Sequence, residues 1–302
     1  MREILRGALC LFFALGAAAA QAQDVLLKPF VLASRGPGEV EQKVKAAQAA
    51  LTANGFAVVG SYAPYPNATI LVVTNDELKA NAAKSEHGGF GAAQRVAVTK
   101  VKDEVQVSYT NPVYMAHAYR MTGDLKGVAA KLRTALGKVE EYGSSGHFPD
   151  QLRRYHYMIG MEYFDEPSLL ATHGSHDEAV KAVEAGLAAG RQGATKVFRI
   201  DVPGKKEVLF GVAMKGDGED GKFKDDRYIM SVIDFKDMKS TAHLPYEMLV
   251  VDNKVQALYA RFRIAINFTD LSMMGDNSFM RIKPAPEAIR KALLLTAGGK
   301  EE

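Results

Sequence analysis

The chain has 302 residues, 38 Lys and Arg against 35 Asp and Glu, a formal net charge of +3, and 47% hydrophobic residues. So even a balance gives no electrostatic footprint for nucleic acid, and the absence of Trp removes the strongest stacking platform of lectin-like or single-strand-binding surfaces. The length exceeds what one small core usually serves and favours two domains.

At the start, Arg2 and Arg6 precede an apolar run from Gly7 to Ala20, followed by the small-residue pattern Ala20-Gln21-Ala22. This reads as a cleavable signal peptide, residues 1–22, with cleavage near Ala22 and a periplasmic or secreted product. The run is too short to span a membrane, and no later stretch is long and uncharged enough to do so, so no membrane span is expected in the mature chain. Cys10, the only cysteine, lies inside the predicted leader. The mature protein then has no disulfide, no cysteine nucleophile and no thiolate ligand.

From there the chain reads as two copies of one pattern. Val44-Lys45-Ala46-Ala47-Gln48-Ala49-Ala50-Leu51 matches Val180-Lys181-Ala182-Val183-Glu184-Ala185-Gly186-Leu187 at five of eight positions. Upstream, Leu32 to Gly36 faces Leu170 to Gly174, and downstream Asp103-Glu104-Val105-Gln106 mirrors Asn253 to Gln256. Three matches in one order define an internal repeat, with the extra residues of the second copy placed in the loop Gly216 to Asp226.

In chain order, Val40, Val44, Ala47 and Leu51 have helical spacing, as do Val180, Val183 and Leu187 after the capping-box pair Ser175 and Glu178. Strands are predicted at Phe56–Tyr62, Gln94–Lys100, Glu104–Thr110, Ala194–Ile200, Tyr246–Val251 and Lys254–Ile266. The turns Lys102-Asp103 and Asp252-Asn253 are too short for parallel crossovers, so the strands pair antiparallel. Arg153 to Phe164 alternates as a further strand, opening the second copy. Amphipathic helices at Leu125–Leu136 and Ala285–Leu293 close the two copies. The expected fold is α+β, with two β-α-β4-α-type repeats and antiparallel sheets each covered by helices. The domains fall at 23–142 and 153–302, joined by a linker at 143–152.

The segment Asp103 to Ala116, a strand ending Tyr109-Thr110-Asn111-Pro112-Val113-Tyr114, resembles the domain-of-unknown-function 302 family. His243-Leu244-Pro245 ahead of Tyr246–Val251 is similar to another part of that pattern, whereas Arg261-Phe262-Arg263-Ile264 replaces the Asn-Pro signature in the second copy. The resemblance implies a β-α-β4-α fold that pairs, here as an intramolecular pseudo-dimer within a possible monomer, and implies no activity.

Candidate sites follow from residue chemistry. Asn111 and Pro112 suit an N-cap and first helical position. If Pro112–Met121 is helical, Tyr114, His117 and Met121 share one face, either the mouth of a pocket or a half-buried helix surface. Ligand-binding candidates are Tyr109, Asn111, Tyr114, His117, Tyr259 and Arg261; metal candidates are His117, Met121, His156, Met158 and His243. Imidazole with thioether suits copper, although Met is ordinary core filler and the methionines are scattered along the sequence. Gly216-Asp217-Gly218-Glu219-Asp220-Gly221 fits G-x-G-x-x-G by letter alone, since its carboxylates repel a pyrophosphate. His87-Gly88-Gly89 reads as a flexible loop, because there is no nucleophile elbow for it to serve.

With no catalytic constellation in view, the sequence reads as an exported, non-enzymatic binding or accessory protein for an unknown small ligand or exported partner protein held at the cleft between the two domains, with the first domain the first place to look. The alternatives are a copper- or haem-binding redox accessory protein and an enzyme whose site assembles from Tyr109, Asn111, Tyr114 and His117 with residues across the cleft such as Tyr259 and Arg261. The sequence specifies no cofactor.

Overall fold

A computed structural model describes residues 25–301. The predicted leader and Cys10 therefore lie outside the described residues.

The first half runs β1 (Phe30–Gly36), α1 (Val40–Ala53), β2 (Ala57–Tyr62), β3 (Ala68–Thr74), α2 (Asp76–Lys84), β4 (Gln94–Val101), β5 (Glu104–Thr110), α3 (Pro112–Ala118), α4 (Lys126–Leu136) and β6 (Glu140–Tyr142). After α5 (Pro149–Arg153) the second half runs β7 (Ser168–Thr172), α6 (His176–Ala188), β8 (Ala194–Asp201) and β9 (Glu207–Met214). It continues through α7 (Gly218–Gly221), α8 (Asp226–Ile233), β10 (Tyr246–Val251), β11 (Lys254–Ala257), α9 (Ala260–Asn267) and α10 (Ala285–Thr296).

The strands form two antiparallel sheets, ordered β2-β3-β4-β5-β1-β6 and β8-β9-β10-β11-β7. In both, the opening strand returns beside the last hairpin. Those hairpins turn through two residues each, with Lys102 and Asp252 at positive φ, the conformation that matches the twist of the flanking strands. Register slips also recur: between Val58 and Gly60 in β2 and between Lys196 and Phe198 in β8, and again in the β1–β5 and β11–β7 pairs.

Helices cover one face of each sheet. Ala47 and Leu51 of α1 and Val128 and Leu132 of α4 are buried over the first; Val183 and Leu187 of α6 and Ile289 and Leu293 of α10 are buried over the second. Gly186 allows α6 to cross α10, since a Cβ there would lie 1.9 Å from the Thr296 carbonyl oxygen. The other faces meet each other. Tyr114 Oη donates to the Ile266 carbonyl at 2.6 Å, Thr99 Oγ1 to Thr241 Oγ1 at 2.9 Å, and Gln106 Nε2 to the Asp237 carbonyl at 2.8 Å. Between the central strands, Arg95 of β4 and Glu247 of β10 form a buried ion pair.

Local signals behave as their chemistry requires. Asn111 accepts from Val113 N–H and starts α3, with Pro112 at the first helical position. Ser175 caps α6 through Glu178 N–H, but the Glu178 carboxylate takes the Gly174 N–H, so the capping box is completed one residue earlier than the reciprocal form.

Four expectations are corrected. Arg153–Phe164 is no strand: it leaves α5 as irregular chain, turns at Gly160 with φ +82°, and the sheet begins only at Ser168. The strand from Lys254 stops at Ala257, and Ala260–Asn267 is helix α9. Seven of its eight residues are buried, so it lacks the one-sided pattern by which a surface helix is read. Helix α3 ends at Ala118, so Met121 is not on its face. His87-Gly88-Gly89 is no loose loop, since Gly88–Gly91 is a buried 3-10 turn between the halves, where Gly89 N–H donates to Glu207 Oε2 at 3.1 Å. In the acidic loop, α7 lies within the glycine motif itself, from Gly218 to Gly221, and α8 follows it, with Asp225 capping α8 at Tyr228 N–H.

Candidate functional site

The irregular segment after α5 has a position that a strand could not give it. It arches over α9 and faces the loop that leads into α10, enclosing a pocket of about 310 Å³. One wall is the segment itself, with Tyr157, Met158 and Met161. The floor is α9 and its flanks: Tyr259, Arg261, Ile264, Ala265 and Phe268. The third wall is Leu271, Met273, Phe279 and Met280, with Lys283, Pro286 and Glu287 at the start of α10. The loop between Leu271 and Phe279 is closed by Phe279 N–H donating to the Ser272 carbonyl at 2.9 Å and turns at Gly275, φ +107°.

Apolar side chains line this hollow without being sealed in it. Met158 is 51% exposed and Met280 43%. Leaving such side chains in water forgoes roughly 1.5–3 kcal/mol each relative to burial. The aromatic parts are held: Tyr157 Oη donates to Met273 Sδ at 2.6 Å, and the Tyr157 and Phe279 rings stack with centroids 6.5 Å apart. Charge at the rim is paired. Arg261 clasps Glu162 bidentately and lies over the Tyr259 ring, 5.1 Å from its centroid, and Glu287 pairs with Arg290 at 2.7 Å. A mostly apolar concavity with a few fixed polar groups is the usual form of a small-ligand site. Four other hollows, of about 370 to 670 Å³, are larger but more polar and more open. One, about 380 Å³, lies between Lys28, Glu141, Asp234 and Asp237; another, about 670 Å³, between Val40, Tyr65, Lys215 and Arg227.

Of the residues singled out from sequence, Met158, Tyr259 and Arg261 come together here. The rest lie elsewhere. Tyr109 is buried, donates to the Gly137 carbonyl at 3.2 Å, and burial pushes its hydroxyl up to about 12. Asn111 is occupied as a cap and through Nδ2 with the Lys28 carbonyl and Glu141. Tyr114 spans the halves, and Met121 is buried beside Asn81. His117 is half-buried; burial first, then the Arg153 charge, holds its imidazole below the usual range. His156 sits next to the pocket, its ring 4.5 Å from Tyr163 and its Nδ1 buried without a hydrogen-bond partner. His243 is fully buried with Nδ1 at 3.0 Å from Asn267 Nδ2 and Nε2 at 3.3 Å from Tyr246 Oη, and burial, then Arg263 and Arg95, hold it neutral.

Met161, Met273, Phe279, Met280 and Lys283 were not anticipated. The available signal was Met158-x-x-Met161 and the Met273, Met274, Met280 group, which are far apart in sequence and close in space.

Around His243 the interior is polar. Arg263 donates to the Pro245 carbonyl at 2.8 Å and the His243 carbonyl at 2.7 Å, and its Nη1 lies 3.8 Å from Glu247 Oε2. Nearby, burial raises the Asp226 carboxyl to about 8 and the Asp234 carboxyl to about 7. His243, Arg263, Glu247 and Asp226 are at most 2% exposed, whereas Asp234 lines the open hollow of about 380 Å³.

Among the described residues no three His, Cys, Asp or Glu side chains gather as a metal-binding group, and no helix is long and apolar enough to cross a membrane. Comparison with family models, curated proteins and solved structures returns no match to this chain.

Proposed function

We propose that this chain is an exported, non-enzymatic binding protein that holds its ligand in the methionine- and aromatic-lined pocket beside α9. The observation that carries the reading is the convergence of Met158, Met161, Met273 and Met280 with Tyr157 and Phe279 on one open hollow. Adaptable thioether side chains kept at a surface are typical of recognition rather than of core filling. Export rests on the charged, apolar and small-residue order of residues 1–22. The reading does not use His117, Met121 or His243, which lie away from the pocket.

Its scaffold, on this proposal, is a fused pair of related units resembling the domain-of-unknown-function 302 family, a pseudo-dimer in one chain. Supporting it are the matching strand orders, hairpin turns and register slips of the two halves.

The test fills the pocket. Ala265 lies in its floor and is 6% exposed. The apolar fluorophore 1-anilinonaphthalene-8-sulfonate should bind the folded chain, and Ala265→Trp should weaken that binding about tenfold or more, with circular dichroism unchanged. Equal probe binding by a folded Ala265→Trp variant contradicts the assignment.

A further inference from the structure

We propose that the pocket is a soft-metal site that takes Cu(I) through the thioethers of Met158, Met161, Met273 and Met280, with His156 as an adjacent imidazole donor. The proposal rests on the reading that this pocket is the binding site and names the chemical class of what it holds.

The methionines divide by burial. Of twelve in the chain, five (Met115, Met121, Met214, Met230 and Met248) are buried in the core, where any apolar side chain of that volume would serve. Four others, drawn from segments more than a hundred residues apart in sequence, meet at one solvent-accessible hollow, and a fifth, Met274, stands 72% exposed beside Met273. Beyond the adaptability that serves any apolar ligand, each Met brings a polarizable sulfur lone pair.

Thioethers are neutral and soft, so they favour Cu(I) over Zn(II), Ca(II) or Mg(II), which need imidazole, thiolate or carboxylate sets. Chemistry at the rim agrees: the Arg261–Glu162 and Glu287–Arg290 pairs occupy those carboxylates. Tyr157 Oη contacts Met273 Sδ and holds that side chain at the pocket wall.

His156 Nδ1, like a ring nitrogen of His87, His117 and His147, is buried without a hydrogen-bond partner, and of these four histidines it is the one beside the pocket methionines. Met161 lines both the pocket and the adjoining hollow that contains His156, so it joins the two donor groups.

The probe is Ag(I), which matches Cu(I) in charge and softness and does not change oxidation state in air. Native mass spectrometry of the chain should show one silver per molecule, and anaerobic titration with Cu(I) against bathocuproine disulfonate should give the same stoichiometry. Replacing Met158, Met161, Met273 and Met280 together by Leu keeps apolar volume and removes sulfur; silver affinity should fall by about 100-fold or more while the anilinonaphthalene probe still binds. Should the fourfold variant not fold, Met158→Leu and Met280→Leu, both at exposed positions, should each weaken silver by about tenfold. Absence of silver binding by the wild-type chain, or retention of wild-type affinity in the folded Leu variants, overturns the metal proposal. Probe binding that survives such a result leaves the pocket as an apolar site; loss of both sinks the pocket itself.

Discussion

Arg95→Met is the sharpest test of how the two halves are held. Arg95 and Glu247 are each 2% exposed, lie on the central strands of different sheets, and pair directly. Methionine keeps the length and most of the volume of the Arg stem but removes the charge. Glu247 would then have only Arg263, whose Nη1 is 3.8 Å from Oε2, beyond hydrogen-bond range. A unit-charge pair near that separation is worth about 4 kcal/mol at an effective dielectric of 20, and removal of one partner of a buried pair costs about 3–5 kcal/mol. For a chain of this size that lowers Tm on the order of 10 °C. Urea unfolding, followed by far-ultraviolet circular dichroism and tyrosine fluorescence, reads the loss. The double variant Arg95→Met/Glu247→Leu should recover part of it. Recovery stays incomplete because Arg263 then keeps its charge with only the His243 and Pro245 carbonyls as partners. A cost below about 1 kcal/mol for Arg95→Met, or strictly additive losses in the double variant, would refute the account of this pair as a clamp.

Two further outcomes concern pH. Asp226, fully buried, accepts from Met214 N–H at 3.0 Å through Oδ2 while Oδ1 has no partner, and burial raises its carboxyl from 3.8 to about 8. Because the folded chain keeps this proton after the unfolded chain has lost it, the stabilisation is complete below about pH 4. It declines by up to about 1.4 kcal/mol per unit as pH rises and is lost above about 8. Asp226→Asn should flatten that slope in thermal melts between pH 5 and 8, and parallel curves for variant and wild type would count against it. Asp234→Asn should flatten the same slope over a window ending near 7, since burial raises its carboxyl only that far, and an unchanged slope there would contradict the assignment.

Legibility in the sequence followed the reach of each physical signal. Periodicity in Val44–Leu51 and Val180–Leu187, and the short turns at Lys102 and Asp252, act within a few residues, and the structure places helices, antiparallel hairpins and two sheets there. Asn111-Pro112 likewise did its local work as a helix start. Reading failed where tertiary burial overrode pattern. Helix α9 is enclosed on nearly all sides, so Phe262, Ile264 and Ile266 looked like alternating strand residues. Segment 153–164 alternates convincingly, but the sheet already has its strands and leaves it as a wall of the pocket. The candidate site was visible only in part. Met158, Tyr259 and Arg261 stand out in the sequence by thioether, aromatic and cationic character, but their convergence with Met273 and Met280 depends on how the α9–α10 connection folds back, which no local spacing encodes.

The central claim is that the pocket methionines hold a soft metal through their sulfurs. It is tested most directly by labelling the methionine methyl groups with ¹³C and titrating the chain with Ag(I) while following their resonances. The account predicts that Met158, Met161, Met273 and Met280 shift together and saturate at one equivalent, while the buried Met121, Met214 and Met248 stay in place. Unmoved pocket resonances, or shifts confined to the buried methionines, would contradict it.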